Sequence, residues 1–256
     1  MKKRRSGIGK AAGFVILVLA VVFIIQHNWI RQWYLQKTRS FGIQLESEDN
    51  KASVPLALSD PSTIPEYDGT LCVELNGSVP SFTEYDLSHI TGEVYSDPDY
   101  LGRCGSAVAM LDKSMMPTEE RGEIGMIRPS GWKQERYPGI IDSEPPYLYH
   151  RCHLIAYALT GQNANEKNLI TDTQHFNIEG MRTFEVKVVR CLDREEGHIL
   201  YRVTPLFKGD ELLARGVEME AYSVEDNGRG LCFHVFVYNV QPGIELDYRN
   251  GESRVV

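Results

Sequence analysis

Alternation of apolar and polar residues is the main pattern in the second half of the chain, and it is typical of strands with one buried face. Residues 231–240 are the clearest example, because every second residue from Leu231 to Val237 is apolar. Further short strands are predicted at 71–75, 102–110, 168–171, 198–207 and 212–222. The turn sequences at 208–210 and 226–228 separate the last three strands and predict hairpins.

A helical period occurs once in this region, between residues 174 and 192. Its apolar stripe has spacings of three and four and consists of Met181, Phe184, Val188 and Leu192. Residues 116–138 are rich in Pro, Gly and charge, which predicts a long irregular loop. Together these patterns predict an α+β fold, in which at least one helix packs on an antiparallel sheet.

The N-terminus has the pattern of an export signal. Four consecutive basic residues, Lys2 to Arg5, precede an almost unbroken apolar run at 11–25. The run is shorter than the ~20 residues of a comfortable membrane helix, so its length alone does not decide its role. Trp29, Trp33 and Tyr34 suit an outer membrane interface, and no convincing small-residue cleavage site follows the run. We predict an uncleaved signal anchor; a cleaved signal peptide and a buried core helix are the alternatives.

The expected organisation follows from this anchor. Residues 1–35 form a basic cytoplasmic tip and a transmembrane helix, 36–65 a polar stalk, and 66–250 the folded domain. The excess of Lys and Arg before the apolar run places the N-terminus in the cytoplasm. The chain is therefore expected at the cell membrane as a single-pass protein with its folded domain outside the cell, or as a secreted protein if the signal is cleaved.

Charge is distributed unevenly along the chain. Residues 1–40 contain eight basic and no acidic side chains, which leaves 19 basic against 35 acidic residues, a net charge of −16, for the remainder. This excess of acid argues against a broad basic surface that grips nucleic acid through many phosphates. Local binding of nucleic acid stays possible, because the predicted loop contains four basic residues: Arg121, Arg128, Lys133 and Arg136. These residues either line a nucleic-acid groove or are simply solvated.

Five cysteines are spread along the chain without a C-x-x-C pair. An exported domain permits disulfides, but the sequence leaves their pairing open. A zinc site formed by His150, Cys152, His153 and Cys191 has unfavourable ligand spacing, since adjacent Cys152 and His153 rarely bind one ion together.

Polar side chains suited to phosphodiester cleavage are concentrated between residues 149 and 185. They are Arg151, His153, Asn168, Asn177 and Glu185. A histidine can take a proton from water, an arginine can hold phosphate oxygens, and an amide oxygen can bind a hydrated hard cation. On a helix, Asn177 and Glu185 would lie about 80° apart around the axis, so both could serve one site.

At these residues the sequence resembles the DNA/RNA non-specific endonucleases of the ββα-metal class. Their signature is Asp-Arg-Gly-His, a later Asn, a metal-holding Asn nine residues beyond it, and a Glu eight residues further on. Arg151 and His153 match the second and fourth signature positions, and Asn168, Asn177 and Glu185 have the spacings of nine and eight. His150 and Cys152 replace the Asp and the Gly. The sequences at 153–165 and 238–243 are similar to those of the cell-surface and secreted branch of this family, which is found in Gram-positive bacteria.

The resemblance implies a ββα-metal motif at the active site and a role for each residue. His153 would be the general base, Asn177 the direct ligand of Mg²⁺, with Mn²⁺ able to substitute, and Asn168 would position the histidine loop. Arg151 and Glu185 would support the phosphate and the metal-bound waters. Water as the nucleophile needs no 2′-hydroxyl group, so DNA and RNA would both be substrates.

Other functions stay open from the sequence. The main alternative is an exported nucleic-acid-binding module with weak or no catalysis, which the acidic domain and His150 favour. Hydrolysis of other phosphodiesters, or a toxin controlled by an inhibitor protein, is a third reading. The sequence does not indicate the oligomeric state.

Overall fold

A six-stranded antiparallel sheet is the centre of the fold. The computed structural model describes residues 66–194 and 197–256. The strands follow the order β1-β8-β7-β6-β3-β2. Their bounds are Cys72–Glu74 (β1), Gly92–Tyr95 (β2), Ala107–Leu111 (β3), Ile199–Leu206 (β6), Gly216–Ser223 (β7) and Cys232–Tyr238 (β8). The predicted antiparallel sheet is confirmed.

One face of the sheet carries the main hydrophobic core. Alternate residues of the long strands point to it because successive side chains of a strand point to opposite faces. These residues include Ala109, Tyr201, Val203, Val217, Met219, Val235 and Val237, all nearly inaccessible to solvent. The apolar stripe of the predicted helix, from Phe184 to Leu192, packs against this face.

A hairpin and the helix that follows it cover this core. The hairpin pairs β4 (Tyr149–His153) with β5 (Leu169–Thr173) in antiparallel register. The chain then forms a π-helical segment, Phe176–Met181, and continues as the helix Arg182–Arg194. Gly180 lets this segment approach the sheet closely, since a Cβ atom there would lie 2.5 Å from Val237 Cγ1. The order strand, strand, helix is the ββα arrangement that the resemblance implies.

The remaining elements are short. They are the helices α1 (Glu84–His89) and α2 (Tyr157–Thr160) and the hairpin of β9 (Ile244–Asp247) with β10 (Glu252–Val255). The helix Arg182–Arg194 is hereafter α3. Thr83 and Asp86 begin α1 with a reciprocal capping box, which satisfies backbone N–H groups that the helix leaves unpaired.

Buried charges occupy the opposite face of the sheet. Arg202 donates to Glu220 at 2.7 Å, and His234 is hydrogen-bonded to Glu218. Segment 79–81 lies over this group. Arg202 donates to Ser81 Oγ, the Ser81 amide donates to Glu220, and His234 Nδ1 lies 3.0 Å from the Val79 carbonyl oxygen. Ion pairs and hydrogen bonds thus hold the chain before α1 onto the back of the sheet.

Several sequence predictions can be compared with this fold. The strands near 199–238 and the helical stripe are where they were expected, and residues 116–138 lack long regular elements. The sequence left disulfide pairing open, and in the described residues Cys104 and Cys152 are buried free thiols. The predicted anchor and stalk, at 1–35 and 36–65, lie outside the described residues. Within the part of the chain that is described, no helix is long and apolar enough to cross a membrane.

Candidate active site

His153 ends β4 with its imidazole held between two loops. Its Nε2 atom lies 2.7 Å from the carbonyl oxygen of Asn163, and its Nδ1 atom lies 3.3 Å from Arg121 Nη2. A carbonyl oxygen can only accept, so Nε2 carries the hydrogen and Nδ1 has the lone pair in the neutral ring. Burial lowers the pKa of His153, and the charge of Arg121 lowers it further, while the Asn163 carbonyl opposes both effects. The neutral, proton-accepting form is therefore favoured.

Asn168 fixes the chain that leaves His153. Its Oδ1 accepts from the Ile155 amide at 2.8 Å, and its Nδ2 donates to the Ile155 carbonyl at 3.0 Å. The main-chain oxygen of Asn168 also accepts from Leu154. The side chain is fully buried, so these bonds are shielded from water. This geometry agrees with a positioning role for Asn168.

Arg151 is bound mainly to the long irregular loop. Its Nε and Nη2 atoms donate to the carbonyl oxygens of Ile127 and Gly125, and its guanidinium lies 4.0 Å above the ring of Trp132. These contacts tie the long loop to β4. The resemblance implies that Arg151 holds phosphate. Only the guanidinium N–H groups that are not used in these bonds would be free to do so.

Arg121 provides a second guanidinium, next to the base. It is exposed, and its one hydrogen bond within the described residues is the contact with His153. No described carboxylate lies within ion-pair distance of it. Its charge also opposes the rise in the pKa of Glu185 that burial causes. Sequence analysis left Arg121 as a groove residue or a solvated cation, and the structure locates it at the site.

Asn177, the predicted metal ligand, lies at the start of the π-helical segment. Its Nδ2 atom is 3.3 Å from His150 Nδ1, and its Oδ1 atom is 3.6 Å from the thiol of Cys152. Burial lowers the pKa of His150, so its neutral ring can accept the amide hydrogen. His150 therefore orients the Asn177 amide with its oxygen directed away from the imidazole.

Two carboxyl groups complete the polar cluster. Burial raises the pKa of Glu185 to about 7, with the charges of Arg182 and Arg121 opposing the rise. Burial raises the pKa of Asp172 well above its usual range; the Cys152 thiol opposes this, and the negative charge of Glu185 adds to it. Both carboxyl groups resist ionisation as long as no further positive charge is close to them.

Sequence reasoning missed Asp172 and Asn163. The signal for Asp172 was an acidic residue at the end of a short apolar strand. Asn163 contributes a main-chain carbonyl, which no side-chain pattern reveals. Some buried side-chain polar atoms in the described residues have no hydrogen-bond partner: Asn163 Oδ1, Thr171 Oγ1, both carboxylate oxygens of Asp172, and Tyr201 Oη.

Other groups of metal-ligating residues are weaker candidates. The ligand atoms of Glu218, Glu220 and His234 lie close enough to share an ion. However, Arg202 and His234 already neutralise these two carboxylates, so the group is a satisfied charge network. No cluster of His, Cys, Asp and Glu that includes His153 has this geometry among the described residues, which argues against the zinc site considered above.

The fold and the site define a class of protein. An α+β domain whose ββα unit brings an imidazole, an amide and carboxylates beside a guanidinium has the groups needed to hydrolyse phosphodiesters. The chain belongs to the DNA/RNA non-specific endonuclease family, whose model matches residues 83–225, more than half of its length.

Known relatives agree with this assignment. A deoxyribonuclease of Streptococcus dysgalactiae subsp. equisimilis is 32% identical over 111 residues, or 41% of this chain. The match spans only 32% of that relative's length. Among solved structures, NucA of Streptococcus agalactiae with magnesium bound has a TM-score of 0.61 and 27% identity, covering 72% of this chain and 86% of that one. The Sda1 nuclease with bound zinc has a TM-score of 0.55 and 28% identity, covering 65% and 83%. The resemblance to the Gram-positive branch is confirmed.

Proposed function

We propose that the protein is a metal-dependent, sequence-non-specific endonuclease that hydrolyses DNA and RNA outside the cell, with His153 as the general base. The observation that carries this proposal is the state of the His153 ring. Because the Asn163 carbonyl holds the hydrogen on Nε2, Nδ1 carries the lone pair, and this atom lies beside the Arg121 guanidinium. A histidine base needs an unprotonated Nδ1 at neutral pH, and the lowered pKa of His153 supports this state.

The residues present fit a divalent metal ion. Asn177 Oδ1 has only a weak thiol contact, and both carboxylate oxygens of Asp172 are buried without a partner. Oxygen ligands of this kind suit Mg²⁺, and also Mn²⁺. Asn177 would hold the ion, and Glu185 would support it. A bound divalent ion would act as a Lewis acid that offsets negative charge on the phosphate and on the leaving oxygen.

The protein's own groups account for the proton and for the position of the phosphate. His153 Nδ1 takes a proton from water, and the water oxygen forms a bond to phosphorus. The bond from phosphorus to the leaving oxygen breaks, and the leaving oxygen keeps the electron pair and takes a proton from solvent water. Arg121 and the remaining donor capacity of Arg151 hold the phosphate oxygens. Asn168 keeps the His153 ring in position through its bonds to Ile155.

The substrate assignment follows from this chemistry. Water is the nucleophile, so no 2′-hydroxyl group takes part, and both DNA and RNA can react. The printed name of the streptococcal relative, deoxyribonuclease, supports DNA. The absence of sequence preference rests on the family to which the chain belongs.

The test uses the purified full chain on plasmid DNA and on RNA, with Mg²⁺ or with EDTA. His153→Ala is expected to lower cleavage about 10²- to 10⁴-fold, because it removes the general base. His89→Ala, an exposed histidine on α1, is the matched control and should cleave normally. The acid limb of the wild-type pH profile should lie below pH 6.5, since the pKa of His153 is lowered. Undiminished cleavage by a folded His153→Ala protein would refute this assignment.

A binding module without catalysis is the second candidate. The observation in its favour is the departure from the family signature at His150. Such a protein would shift nucleic acid in a gel with Mg²⁺ present and leave it uncut.

The cellular location is part of the proposal. The basic residues Lys2 to Arg5 and the apolar run at 11–25 support a single-pass anchor with the nuclease domain outside. A secreted form after signal cleavage is the alternative. An inhibitor protein would be needed only if the enzyme acted as a toxin.

A further inference from the structure

Asp172 is a buried acidic side chain to which the proposed reaction gives no role. It is 0% exposed, and neither carboxylate oxygen has a hydrogen-bond partner within the described residues. Burial of an unpaired carboxylate is costly, and native proteins seldom tolerate it without a compensating partner. No described lysine or arginine forms an ion pair with Asp172, so no positive charge among the described residues compensates its carboxylate form.

The strand register directs Asp172 to the metal-binding side of the hairpin. Asp172 lies directly opposite His150 in the β4–β5 pair, so the two side chains share one face. Cys152 lies two residues beyond His150 and is on the same face. Both His150 and Cys152 contact the amide of Asn177. Asp172 therefore belongs to the group of side chains that surrounds the proposed metal ligand.

The Cys152 thiol connects Asp172 to the amide of Asn177. The Cys152 thiol, whose sulfur lies 3.6 Å from Asn177 Oδ1, also interacts with Asp172. The charge of Glu185, at the first turn of α3, acts on both Asp172 and Cys152. The Asn177 amide oxygen and the Asp172 carboxyl group thus both approach the buried Cys152 thiol. Hard divalent cations prefer this set of oxygen atoms.

We propose that Asp172 is a second protein residue of the divalent-cation site, providing a carboxylate oxygen to the ion that Asn177 holds or to a water molecule on that ion. The inference rests on the proposed function, because it assumes a cation at Asn177. A site with both Asn177 and Asp172 is more anionic than a site whose only protein ligand is the amide of Asn177. Asp172 costs stability when the protein is free of metal and strengthens the binding of the metal when it is present.

The experiment measures metal binding and thermal stability of the full chain, without cleavage. Mg²⁺ and Mn²⁺ are titrated calorimetrically, and Tm is recorded in EDTA and in excess Mg²⁺ for the wild type, Asp172→Asn and Asp172→Ala. Asp172→Asn should bind Mg²⁺ at least 10-fold more weakly, show a higher Tm in EDTA and gain less Tm from Mg²⁺. The alanine variant repeats the test without the amide.

Two control variants separate the possible outcomes. Asp86→Asn removes a buried carboxylate of the α1 capping box and should leave the gain in Tm from Mg²⁺ unchanged. Asn177→Ala should abolish that gain. If Asp172→Asn binds Mg²⁺ as tightly as the wild type while Asn177→Ala does not, the inference is overturned and the proposed function stands. If the wild type binds neither ion, both are overturned.

Discussion

At the scale of single residues, the direction of one amide decides whether a cation meets oxygen or nitrogen. Asn177 can present either atom, because its amide rotates by half a turn at little cost in a symmetric environment. The contact between Asn177 Nδ2 and His150 Nδ1 removes this symmetry. His150 is thus a positioning residue, although it stands where the family signature has an aspartate. An imidazole with a lowered pKa accepts a hydrogen bond as a carboxylate does, but without a negative charge.

The His150→Ala variant should expose this role. Without the acceptor, the Asn177 amide is no longer held, and we expect the Mg²⁺ concentration for half-maximal cleavage to rise about 10-fold. The maximal rate at saturating Mg²⁺ should change much less. His150→Asn restores an acceptor and should recover most of the affinity. An unchanged Mg²⁺ requirement in His150→Ala would show that the amide is fixed by other contacts.

The same scale shows what the motif could and could not predict. The family signature and its spacing predicted His153, Asn168, Asn177 and Glu185 as site residues, and these positions lie on one continuous ββα unit. The direction of Arg151 was not predictable, since it depends on carbonyl oxygens of the loop at 125–127, about 25 residues earlier in the chain. Nearness in sequence to a catalytic base does not determine which way a long side chain turns.

At the scale of elements, the period of apolar residues predicted the helices and strands that bury one face. It missed the elements that do not bury one face. The α3 stripe and the β6–β8 strands pack on the main core, so their apolar period is visible in the sequence. Strand β4 carries polar residues on both faces, because it lies between the site and the irregular loop. Its sequence therefore shows no alternation of apolar and polar residues. The π-helical segment depends on the contact of Gly180 with Val237 of β8, a long-range effect.

The buried charges behind the sheet lead to a prediction about stability. Burial lowers the pKa of His234, but its hydrogen bond to Glu218 and the charges of Glu220 and Glu218 outweigh this, so the net shift is upward. Protonated His234 thus stabilises the fold below pH 6.5, and this contribution is lost as the pH rises through the raised pKa. The urea-unfolding free energy should fall over that range.

His234→Gln supplies the comparison for this stability effect. It keeps a donor for Glu218 but has no charge to lose, so its stability should be lower than the wild type at pH 6 and should lack the decline at higher pH. Exposed His89, replaced by glutamine, should retain the wild-type decline. A wild-type protein whose stability rises through this range would show that His234 is neutral in the fold.

At the scale of the whole molecule, the chain is acidic overall, but basic residues are concentrated near the proposed site. The chain beyond residue 40 has a net charge of −16, and a polyanionic substrate gains little from its surface as a whole. Cations that could meet phosphate are concentrated on the loop at 116–138, with Arg121 next to the base. Nucleic acid would therefore be held at the reaction centre, which suits an enzyme that cuts without reading sequence.

The N-terminal segment determines where such an enzyme can act. If residues 1–35 form an uncleaved anchor, the full chain should remain with washed cell membranes, and a protease added to intact cells should remove the nuclease domain. Deletion of residues 1–35 should abolish both results. Recovery of a shortened chain from the culture medium alone would favour the secreted form.

The partner of His153 has a consequence for the approach of substrate. Many catalytic histidines are oriented by a carboxylate, which makes the ring more basic but leaves a full negative charge beside it. Here the carbonyl of Asn163 selects the tautomer. A neutral dipole gives the same orientation without repelling a phosphodiester that must come within reach of Nδ1. The imidazole is a weaker base without a carboxylate partner. However, the incoming phosphodiester is then the only anion next to the His153 ring.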